Sequence, residues 1–432
     1  MSDLHEMAGK ARQAFYVLST SSLERRNEAL AHMAQELEAG AQEIFRANEE
    51  DLREAEAEQL AAPLLKRLKF GREKMAQVIE GLHSLTKLPD PLGRTTLSTE
   101  ITEGLKLYRV TCAIGVLGII FESRPDALVQ IASLAVKSGN AALLKGGREA
   151  LRTNRALNAC LRRGIAKAGL PEDAIQLMET REDVREMLKE DELIDLIIPR
   201  GSNAFVRYIM DNSRIPVLGH ADGLCHVYID READPEKACR VAVDSKTQNV
   251  SVCNAMETLL IHQDIAETLL PELARIYRGR GVRLRGDETV RSLIDCDEAT
   301  EEDWKTEYLD AILSIRVVKD AGEAISHINR YGSHHTDAVV TENAETAARF
   351  MREVDSAGVY WNVSTRFAYG FVYGFGAEVG IATGKIHARG PMGLEGLTTY
   401  KYKLLGNGQT MAEMKDGTRA YTHRALGEDC PV

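Results

Sequence analysis

Predicted strands and helices alternate over residues 114–212, and this alternation limits the fold more than any other feature of the sequence. Apolar runs typical of buried strands fall at 114–121, 141–145, 174–178 and 193–198, and each is followed by a helical pattern. Strands joined through helices need crossover connections, which give a parallel sheet with helices on both faces. The sequence therefore predicts an α/β domain whose ligands bind beyond the carboxyl ends of its strands.

A second alternating block begins at residue 225 and predicts another parallel sheet. Its later strands are expected at 314–319, 336–341 and 358–361, with helices at 323–330 and 344–354. Residues 3–85 have helical patterns, whereas residues 95–111 alternate polar and apolar side chains. The alternation predicts a β-hairpin that turns near Glu103-Gly104, a natural element for pairing with another subunit.

The composition excludes several classes of protein. With 432 residues the chain is expected to form more than one domain, and its net charge of −11 argues against binding nucleic acid or an anionic membrane. The N-terminal sequence lacks the pattern of a secretory signal, and no apolar run is long enough to cross a bilayer. Seven scattered cysteines without a Cys-x-x-Cys pair predict reduced thiols in the cytoplasm and no metal site.

One cysteine stands in a context that favours chemistry. The stretch Lys246-Thr-Gln-Asn-Val-Ser-Val-Cys253-Asn254 places a thiol in a polar turn between a predicted helix and a predicted strand. A thiol in such a turn can be activated by backbone N–H groups or cations, and Asn254 offers a side-chain donor to an oxyanion. Taken alone, the stretch is explained more readily by a packed cysteine, because cysteines are often buried small residues.

Several residues at predicted strand ends could bind anions. Lys145, Arg148 and Arg200 follow strands, although the glycine fingerprint of dinucleotide-binding domains is absent there. Gly201 and Ser202 open a helix whose free N–H groups suit an anion, but an ordinary helix cap explains them equally directly. Another arginine, at position 366, could hold a carboxylate or phosphate through two hydrogen bonds, or could simply be exposed.

Longer motifs resemble the γ-glutamyl phosphate reductase family, whose members are also called glutamate-5-semialdehyde dehydrogenases. The resemblance covers nearly the whole chain and includes the Cys253 stretch and the segment from Val318 to Val339. The other matching motifs are Phe121-Glu-Ser-Arg-Pro125, Lys145-Gly-Gly, Pro199-Arg-Gly-Ser-Asn203, Val217-Leu-Gly-His-Ala-Asp-Gly223, Trp361-Asn-Val-Ser-Thr-Arg366 and the stretch 387–401.

This resemblance implies an aldehyde dehydrogenase-like α/β fold, with two parallel-sheet domains and a small β-arm for oligomerisation. Residues 1–240 are expected to form the nucleotide-binding domain, with the hairpin 97–112 contributing to the arm. Residues 241–392 are expected to form the catalytic domain with Cys253, and residues 393–432 the C-terminal oligomerisation segment. The implied assembly is a homo-oligomer.

The resemblance also implies NADPH-dependent reduction of L-glutamate 5-phosphate to glutamate 5-semialdehyde, with release of phosphate, on the route to proline. Cys253 is expected to attack the acyl phosphate, with Ser123 placed as a side-chain donor to the oxyanion. By position, Lys145 and Glu307 are expected at the two riboses of NADPH. Arg148 suits the extra phosphate of NADPH, and Arg124 or Arg366 is expected to bind substrate phosphate or α-carboxylate. A glutamate 5-kinase is a candidate partner that would deliver the labile substrate.

Some positions depart from what the resemblance leads one to expect. Hydrolytic relatives carry a Glu that activates water, but the corresponding loop here, Gly219-His-Ala-Asp-Gly223, has none. A reductase must keep water from its thioester, so this loss is chemically sensible. Tyr369, Val372 and Asn249 also differ from the residues usual in the family. These differences leave open a related dehydrogenase with another acyl phosphate or aldehyde substrate, or a nucleotide-binding paralogue without turnover.

Overall fold

The computed structural model describes residues 3–122, 124–220, 222–375 and 377–432. The chain begins with helices, as predicted, and Ser22 caps the second by accepting a hydrogen bond from the backbone of Arg25. The predicted hairpin follows and turns at Gly104, whose φ of 74° suits glycine. These elements are α1 (Asp3–Leu18), α2 (Leu23–Ala39), α3 (Ala41–Ala57), α4 (Ala62–Leu68), α5 (Arg72–Thr86), β1 (Thr95–Thr102) and β2 (Leu105–Ala113).

The first alternating block forms a four-stranded parallel sheet in the order β5-β4-β3-β6. Its central strands are buried along their whole length, which explains their continuous apolar sequences. The elements are β3 (Val116–Phe121), α6 (Pro125–Lys137), β4 (Ala141–Lys145), α7 (Leu151–Lys167), β5 (Ile175–Met178), α8 (Arg181–Met187), β6 (Leu196–Arg200) and α9 (Asn203–Asn212).

The second block forms a seven-stranded parallel sheet in the order β10-β9-β11-β8-β7-β12-β13. Two short strands at one edge, β9 and β10, were not predicted. The elements are β7 (Cys225–Ile229), α10 (Pro235–Thr247), β8 (Met256–His262), α11 (Gln263–Gly279), β9 (Arg283–Gly286), α12 (Glu288–Leu293), β10 (Asp297–Glu298), β11 (Ile312–Val318), α13 (Ala321–Tyr331), β12 (Thr336–Val340), α14 (Ala344–Glu353) and β13 (Gly358–Trp361).

The end of the chain returns to the first part of the molecule. Strands β14 (Gly380–Ala382) and β15 (Gly390–Met392) pair with each other. Then β16 (Thr398–Leu405) joins β2, the short helix α15 (Met411–Lys415) follows, and β17 (Arg424–Ala425) pairs with β1. The result is an antiparallel sheet in the order β16-β2-β1-β17, which we call the arm.

The strand pairing bears on the expected domain boundaries. Strand β7 lies between β8 and β12 in the second sheet, so its backbone hydrogen bonds tie residues 225–229 to that sheet. Val379 and Met392 belong instead to the core around the first sheet. We therefore propose to place the first boundary before Cys225 rather than at residue 240, and to assign residues 379–392 to the first domain.

The predicted α/β class is confirmed, with one large core around the first sheet and its helices and another around the second. Within the described part of the chain, no helix has both the length and the apolar character needed to cross a membrane.

Candidate active site

Cys253 lies in the tight turn between α10 and β8, at the carboxyl-terminal end of the helix and the start of a buried strand. The turn is closed by a hydrogen bond of 2.9 Å from the Ala255 N–H to the Val252 carbonyl. The thiol is partly buried rather than enclosed. Among the described residues the Cys253 N–H has no acceptor, which leaves it available to an oxyanion.

Contacts from two neighbouring segments, residues 223–225 and the segment that contains Thr365, hold this turn in place. The Cys225 thiol donates to the Cys253 carbonyl at 3.3 Å, and the Thr365 hydroxyl donates to the Asn254 carbonyl at 2.7 Å. Gly223 approaches so closely that a Cβ there would lie 2.3 Å from the Cys253 carbonyl oxygen and 2.5 Å from its Cβ. The backbone around the thiol is therefore fixed from several sides, as a preorganised nucleophile requires.

The Asn254 side chain is buried and already engaged. Its amide donates to the Ala368 carbonyl at 2.9 Å, and its side-chain oxygen has no partner among the described residues. Because an amide nitrogen carries two protons, one remains for another acceptor. The bond to Ala368 also links the thiol turn to the segment that carries Arg366.

Two arginines, one from each parallel-sheet domain, interact electrostatically with the thiol. Burial lowers the pKa of Arg366, while the nearby Cys253 acts in the opposite sense, and the Arg366 Nε donates to Gln248 Oε1 at 2.9 Å. Burial and neighbouring Arg124 likewise lower the pKa of Arg200, opposed by Glu378 and Cys253. Arg200, which the sequence indicated as a possible anion-binding residue, interacts electrostatically with the thiol. The site thus concentrates positive charge where an anionic substrate would bind.

Arg124 is tied more firmly to the protein than Arg200 is. Its guanidinium pairs with Asp126 at 3.0 Å, and that carboxylate also contacts Lys74 at 3.4 Å. Arg200, in contrast, donates to the Glu378 backbone carbonyl at 3.5 Å, which is a long hydrogen bond. Arg200 and Arg366 are therefore better placed than Arg124 to exchange their contacts for a substrate anion.

Two histidines, which sequence reasoning did not assign to the thiol, complete this cluster. One ligand atom from each of His220, His335 and Cys253 falls within 4.8 Å of the other two. The two imidazole rings pack edge to face with centroids 5.1 Å apart. They come from segments 115 residues apart, so no local spacing in the sequence could have revealed the contact.

A separate cavity of about 930 Å³ opens at the carboxyl end of the first sheet. Lys145 and Arg148, which were predicted to bind the cofactor, line this cavity. Arg181 and Arg185, which were not predicted, line it too. Burial lowers the pKa of Lys145, which donates to the Gly146 carbonyl at 2.5 Å. Arg148 is exposed and pairs with Glu58 at 2.8 Å. The cavity volume is in the range of small-molecule sites, and its cations suit phosphates.

The start of α9 and the predicted ribose residue Glu307 lie close together. The Asn203 amide donates to Glu307 at 2.6 Å and to Asp222 at 3.0 Å. The Ser202 N–H contacts the Glu122 carboxylate, whose pKa is raised by burial, and a Cβ on Gly201 would lie 3.0 Å from that carboxyl group. The predicted oxyanion donor Ser123 lies outside the described residues.

The chain resembles proteins of known name over almost all of its length. The model of the aldehyde dehydrogenase family matches residues 1–290. A γ-glutamyl phosphate reductase of Pelotomaculum thermopropionicum is 58% identical over 427 residues, covering 99% of this chain and 98% of the relative. One of Acetivibrio thermocellus is 56% identical over 429 residues, covering 99% and 100%.

A solved structure agrees with these matches. The crystal structure of γ-glutamyl phosphate reductase from Thermotoga maritima superimposes with a TM-score of 0.93 at 40% identity, covering 95% of this chain and all of that one. Sequence identity at this level over nearly the full length establishes family membership as well as the fold. The chain belongs to the aldehyde dehydrogenase family and, within it, to the γ-glutamyl phosphate reductases.

Proposed function

We propose that this chain reduces L-glutamate 5-phosphate to L-glutamate 5-semialdehyde and phosphate, with NADPH as reductant, in proline biosynthesis. The observation that carries the proposal is a partly buried thiol on a rigid turn that interacts electrostatically with Arg200 and Arg366, in a chain of this family. A thiol can displace phosphate from an acyl carbon, and the guanidinium groups suit both anionic ends of the substrate.

In the proposed acylation step, the Cys253 sulfur forms a bond to the acyl carbon and the carbon–oxygen bond to phosphate breaks. Negative charge develops on the carbonyl oxygen, where the Cys253 N–H donates, with Ser123 and Asn254 as further candidate donors. Such donors stabilise the tetrahedral state because they are already oriented when the charge appears. The product is a thioester on the protein, and phosphate leaves with the electron pair.

The proposed substrate contacts follow from the positive charge of the arginines near Cys253 and from how firmly each arginine is held by other protein groups. Arg366 and Arg200 both interact electrostatically with the thiol, and we assign them to the phosphate and the α-carboxylate as a pair. Arg124 supports them through its charge while it remains paired with Asp126. A planar guanidinium binds phosphate or carboxylate through two parallel hydrogen bonds, which also fixes orientation.

The cavity at the first sheet fits the adenosine side of a nicotinamide dinucleotide. Lys145 is proposed at its ribose, Arg148 at the 2′-phosphate of NADPH, the Gly201-Ser202 turn at the pyrophosphate, and Glu307 at the second ribose. A Cβ on Gly146 would lie 2.1 Å from the Asn154 side-chain nitrogen, so the backbone beside Lys145 packs closely against α7. When bound, the cofactor supplies hydride to the thioester carbon.

The assembly and its supply of substrate are proposed in the same way. The arm presents Tyr400, Tyr402 and Leu404 to solvent on one face of β16, which supports a homo-oligomer built through this strand. Acyl phosphates hydrolyse readily in water, so a kinase such as glutamate 5-kinase must make the substrate close to the time of use.

The reaction is most easily tested in reverse. Purified protein with glutamate semialdehyde, phosphate and NADP⁺ should form reduced nucleotide only when phosphate is present, and NADP⁺ should support a higher rate than NAD⁺. Cys253→Ala should lower the rate by at least about 10³-fold, because removing a covalent nucleophile removes the main route. Nucleotide affinity, measured by fluorescence titration, should stay unchanged in this variant.

Cys239→Ala provides a matched control, since this cysteine is partly buried on α10 but outside the thiol turn. Turnover without phosphate dependence would indicate a different dehydrogenase. Nucleotide binding without turnover in the native protein would indicate a paralogue that has lost the reaction.

A further inference from the structure

His220 lies close to the Cys253 thiol, yet none of the steps above gives it a task. The residue belongs to the loop Gly219-His-Ala-Asp-Gly223, whose last member packs against the Cys253 backbone. One ring nitrogen of His220 falls within 4.8 Å of the cysteine ligand atom, and His335 completes the trio. A thiol next to an imidazole is a recurrent arrangement for making the nucleophilic thiolate.

The hydrogen bond that His220 makes fixes which of its nitrogens is free. Its Nδ1 lies 2.9 Å from the backbone carbonyl oxygen of Ile381. A carbonyl oxygen only accepts hydrogen bonds, so Nδ1 must carry the proton. The neutral ring therefore has its lone pair on Nε2, which is the state of a proton acceptor.

His335 is a weaker candidate for the same task. Its Nδ1 lies 3.0 Å from the Thr336 hydroxyl and 3.7 Å from the Cys225 sulfur, groups that can either donate or accept. Its tautomer is therefore not fixed, and its Nε2 is buried without a hydrogen-bond partner among the described residues. His335 supports the His220 ring by edge-to-face packing.

Both an acidic group, Glu378, and basic groups, Arg200 and Arg366, interact electrostatically with the pair formed by His220 and Cys253. Burial raises the pKa of Glu378, and the charges of Arg200, His220 and Arg124 oppose this rise, so the carboxyl group and the imidazole interact electrostatically. Arg200 and Arg366 add positive charge from β6 and from the segment Thr365–Phe367.

We propose that His220 Nε2 accepts the proton of the Cys253 thiol as the sulfur attacks the acyl phosphate, an inference that rests on the proposed function. The S–H bond breaks and an N–H bond forms on His220. The sulfur electron pair forms the bond to carbon, and the carbon–oxygen bond breaks with its pair leaving on phosphate. When the aldehyde is released, the C–S pair returns to sulfur, and sulfur takes the proton back from His220.

The separation is compatible with this role. A limit of 4.8 Å is longer than a direct hydrogen bond from thiol to nitrogen, but such contacts are often long in ligand-free enzymes and shorten when substrate binds. Rotation about the Cα–Cβ bond of Cys253 moves the sulfur, while Gly223 and Cys225 hold the backbone still. His220 is itself anchored through Ile381, so the pair can close without moving the main chain.

The test measures thiolate formation without turnover. His220→Asn keeps a side-chain donor near the Ile381 carbonyl but removes the distal nitrogen. The purified variant and native protein are treated with iodoacetamide at pH 7 and at pH 9.5, with a chelator present to keep thiophilic cations off the cluster. Peptide mass analysis then follows alkylation at Cys253 alone.

We expect His220→Asn to slow alkylation of Cys253 at pH 7 by about 10-fold or more, and the difference to close at pH 9.5, where solvent deprotonates the thiol. His334→Asn is the matched control, because that histidine contacts the Asp355 carbonyl and lies outside the cluster. It should alkylate like the native protein. Unfolding temperature and nucleotide affinity of both variants check that the fold persists.

Equal alkylation rates of native protein and His220→Asn at pH 7 would overturn the proposal, and so would a deficit that persists unchanged at pH 9.5. If His220→Asn does not fold, His220→Gln is measured in the same way and judged by the same outcomes. Phosphate-dependent turnover by the native protein is assayed separately. A native protein without turnover but with the His220 effect would remove the proposed function and leave proton acceptance by His220 in place.

Discussion

Lys246 and Glu257 form an ion pair that is almost fully removed from solvent beneath the thiol turn. The ammonium and carboxylate lie 2.5 Å apart, and both side chains are at most 1% exposed. The second carboxylate oxygen accepts a hydrogen bond of 3.2 Å from the Leu309 N–H. Burial raises the pKa of Glu257 to about 7 and lowers that of Lys246. The pair thus joins α10, β8 and the loop that carries Glu307.

Breaking this pair should be costly, because a single buried charge would remain. We expect Lys246→Met and Glu257→Leu each to lower the free energy of unfolding by about 3–5 kcal/mol, and the double variant to lose less than either. Urea denaturation measures the change. Lys237→Met is the control, since Lys237 pairs with Glu342 at the surface, where a loss below about 1 kcal/mol is expected.

The pH dependence has a definite sign. Because the folded state raises the Glu257 pKa above its ordinary value of 4.5, this group's stabilising contribution is complete at low pH and is lost as pH rises through about 7. The stability of the double variant relative to native protein should therefore improve between pH 4.5 and 7. If Lys246→Met and Glu257→Leu lowered the free energy of unfolding no more than Lys237→Met does, the proposed cost of breaking the buried pair would be contradicted.

At the scale of single residues, the sequence predicted the groups that carry a local signal. Cys253 stands in a distinctive polar turn, Lys145 ends a buried strand and Arg148 follows three residues later. His220 carries no such signal, because its importance comes from contacts with Ile381 and His335 that only the folded chain creates. For the same reason Asn254 was predicted as an oxyanion donor without its bond to Ala368.

Among the elements, the loop that follows β10 stands out because one carboxylate organises it. Asp303 is buried and accepts hydrogen bonds from the Tyr308 hydroxyl at 2.6 Å and the Thr300 backbone at 2.7 Å, and it pairs with Arg285. Although burial raises the pKa of Asp303, these partners bring it down to about 2. The loop reaches Glu307 four residues later, so Asp303 sets the position of a proposed ribose contact.

Asp303→Asn should loosen this loop and weaken nucleotide binding several-fold, because a neutral amide replaces a charged acceptor worth about 1.5–3 kcal/mol per bond. Fluorescence titration with NADPH measures the effect. Since the Asp303 pKa is lowered from 3.8, its stabilising contribution is present above that pH and is lost only as pH falls toward 2. Titration of Asp303 should therefore not change the affinity of the native protein for NADPH between pH 6 and 8.

Asp310→Asn is the matched control, because this exposed carboxylate on the same loop contacts only the backbone of its neighbour Ala311 among the described hydrogen bonds. Equal affinities for the two variants would contradict the role of Asp303.

Element boundaries were predictable where apolar periodicity was strong. Strands β4 and β13 begin and end at the predicted residues, and most others differ by one to three. Strand β9 was missed because its four residues include two arginines and a glycine, a poor strand pattern. Strand β17 forms by pairing with β1 more than 300 residues earlier, which no local pattern encodes.

The whole molecule combines two parallel sheets with the antiparallel arm, whose edge strands β16 and β17 are each paired on one side only within the described structure. Strand β16 pairs with β2, while Tyr400, Tyr402 and Leu404 are 52%, 58% and 55% exposed. Exposed apolar side chains in line on an edge strand are costly in a lone subunit. The arrangement supports the proposed association of subunits through the arm.

Leu404→Asp should weaken that association, because it places a charge within the apolar row. Light scattering after size-exclusion chromatography should then show a smaller particle than for the native protein. Thr399→Asp is the control, since its side chain lies on the other face of the same strand. An unchanged mass for Leu404→Asp, or an equal fall for both variants, would contradict association through this row.

The sequence predicted that two parallel sheets follow one another along the chain, but it did not predict the residue at which the second sheet begins. The pairing of β7 with β12 joins residues 111 positions apart, Asp337 and His226, and together with the pairing of β7 with β8 it assigns residues 225–229 to the second sheet. Hydrophobic runs predict that a strand exists, whereas its partner depends on the packing of the complete chain.

The tight approach of Gly223 to the thiol turn has a practical consequence for enzyme engineering. Libraries that seek new substrates would naturally vary the loop beside the sulfur, where His220 and Asp222 offer side chains to exchange. Gly223 offers no such freedom, because even a methyl group would collide with main-chain atoms of Cys253. Gly223 should therefore be kept constant in such libraries. Tyr369 and Val372, whose side chains face solvent, are better positions to randomise.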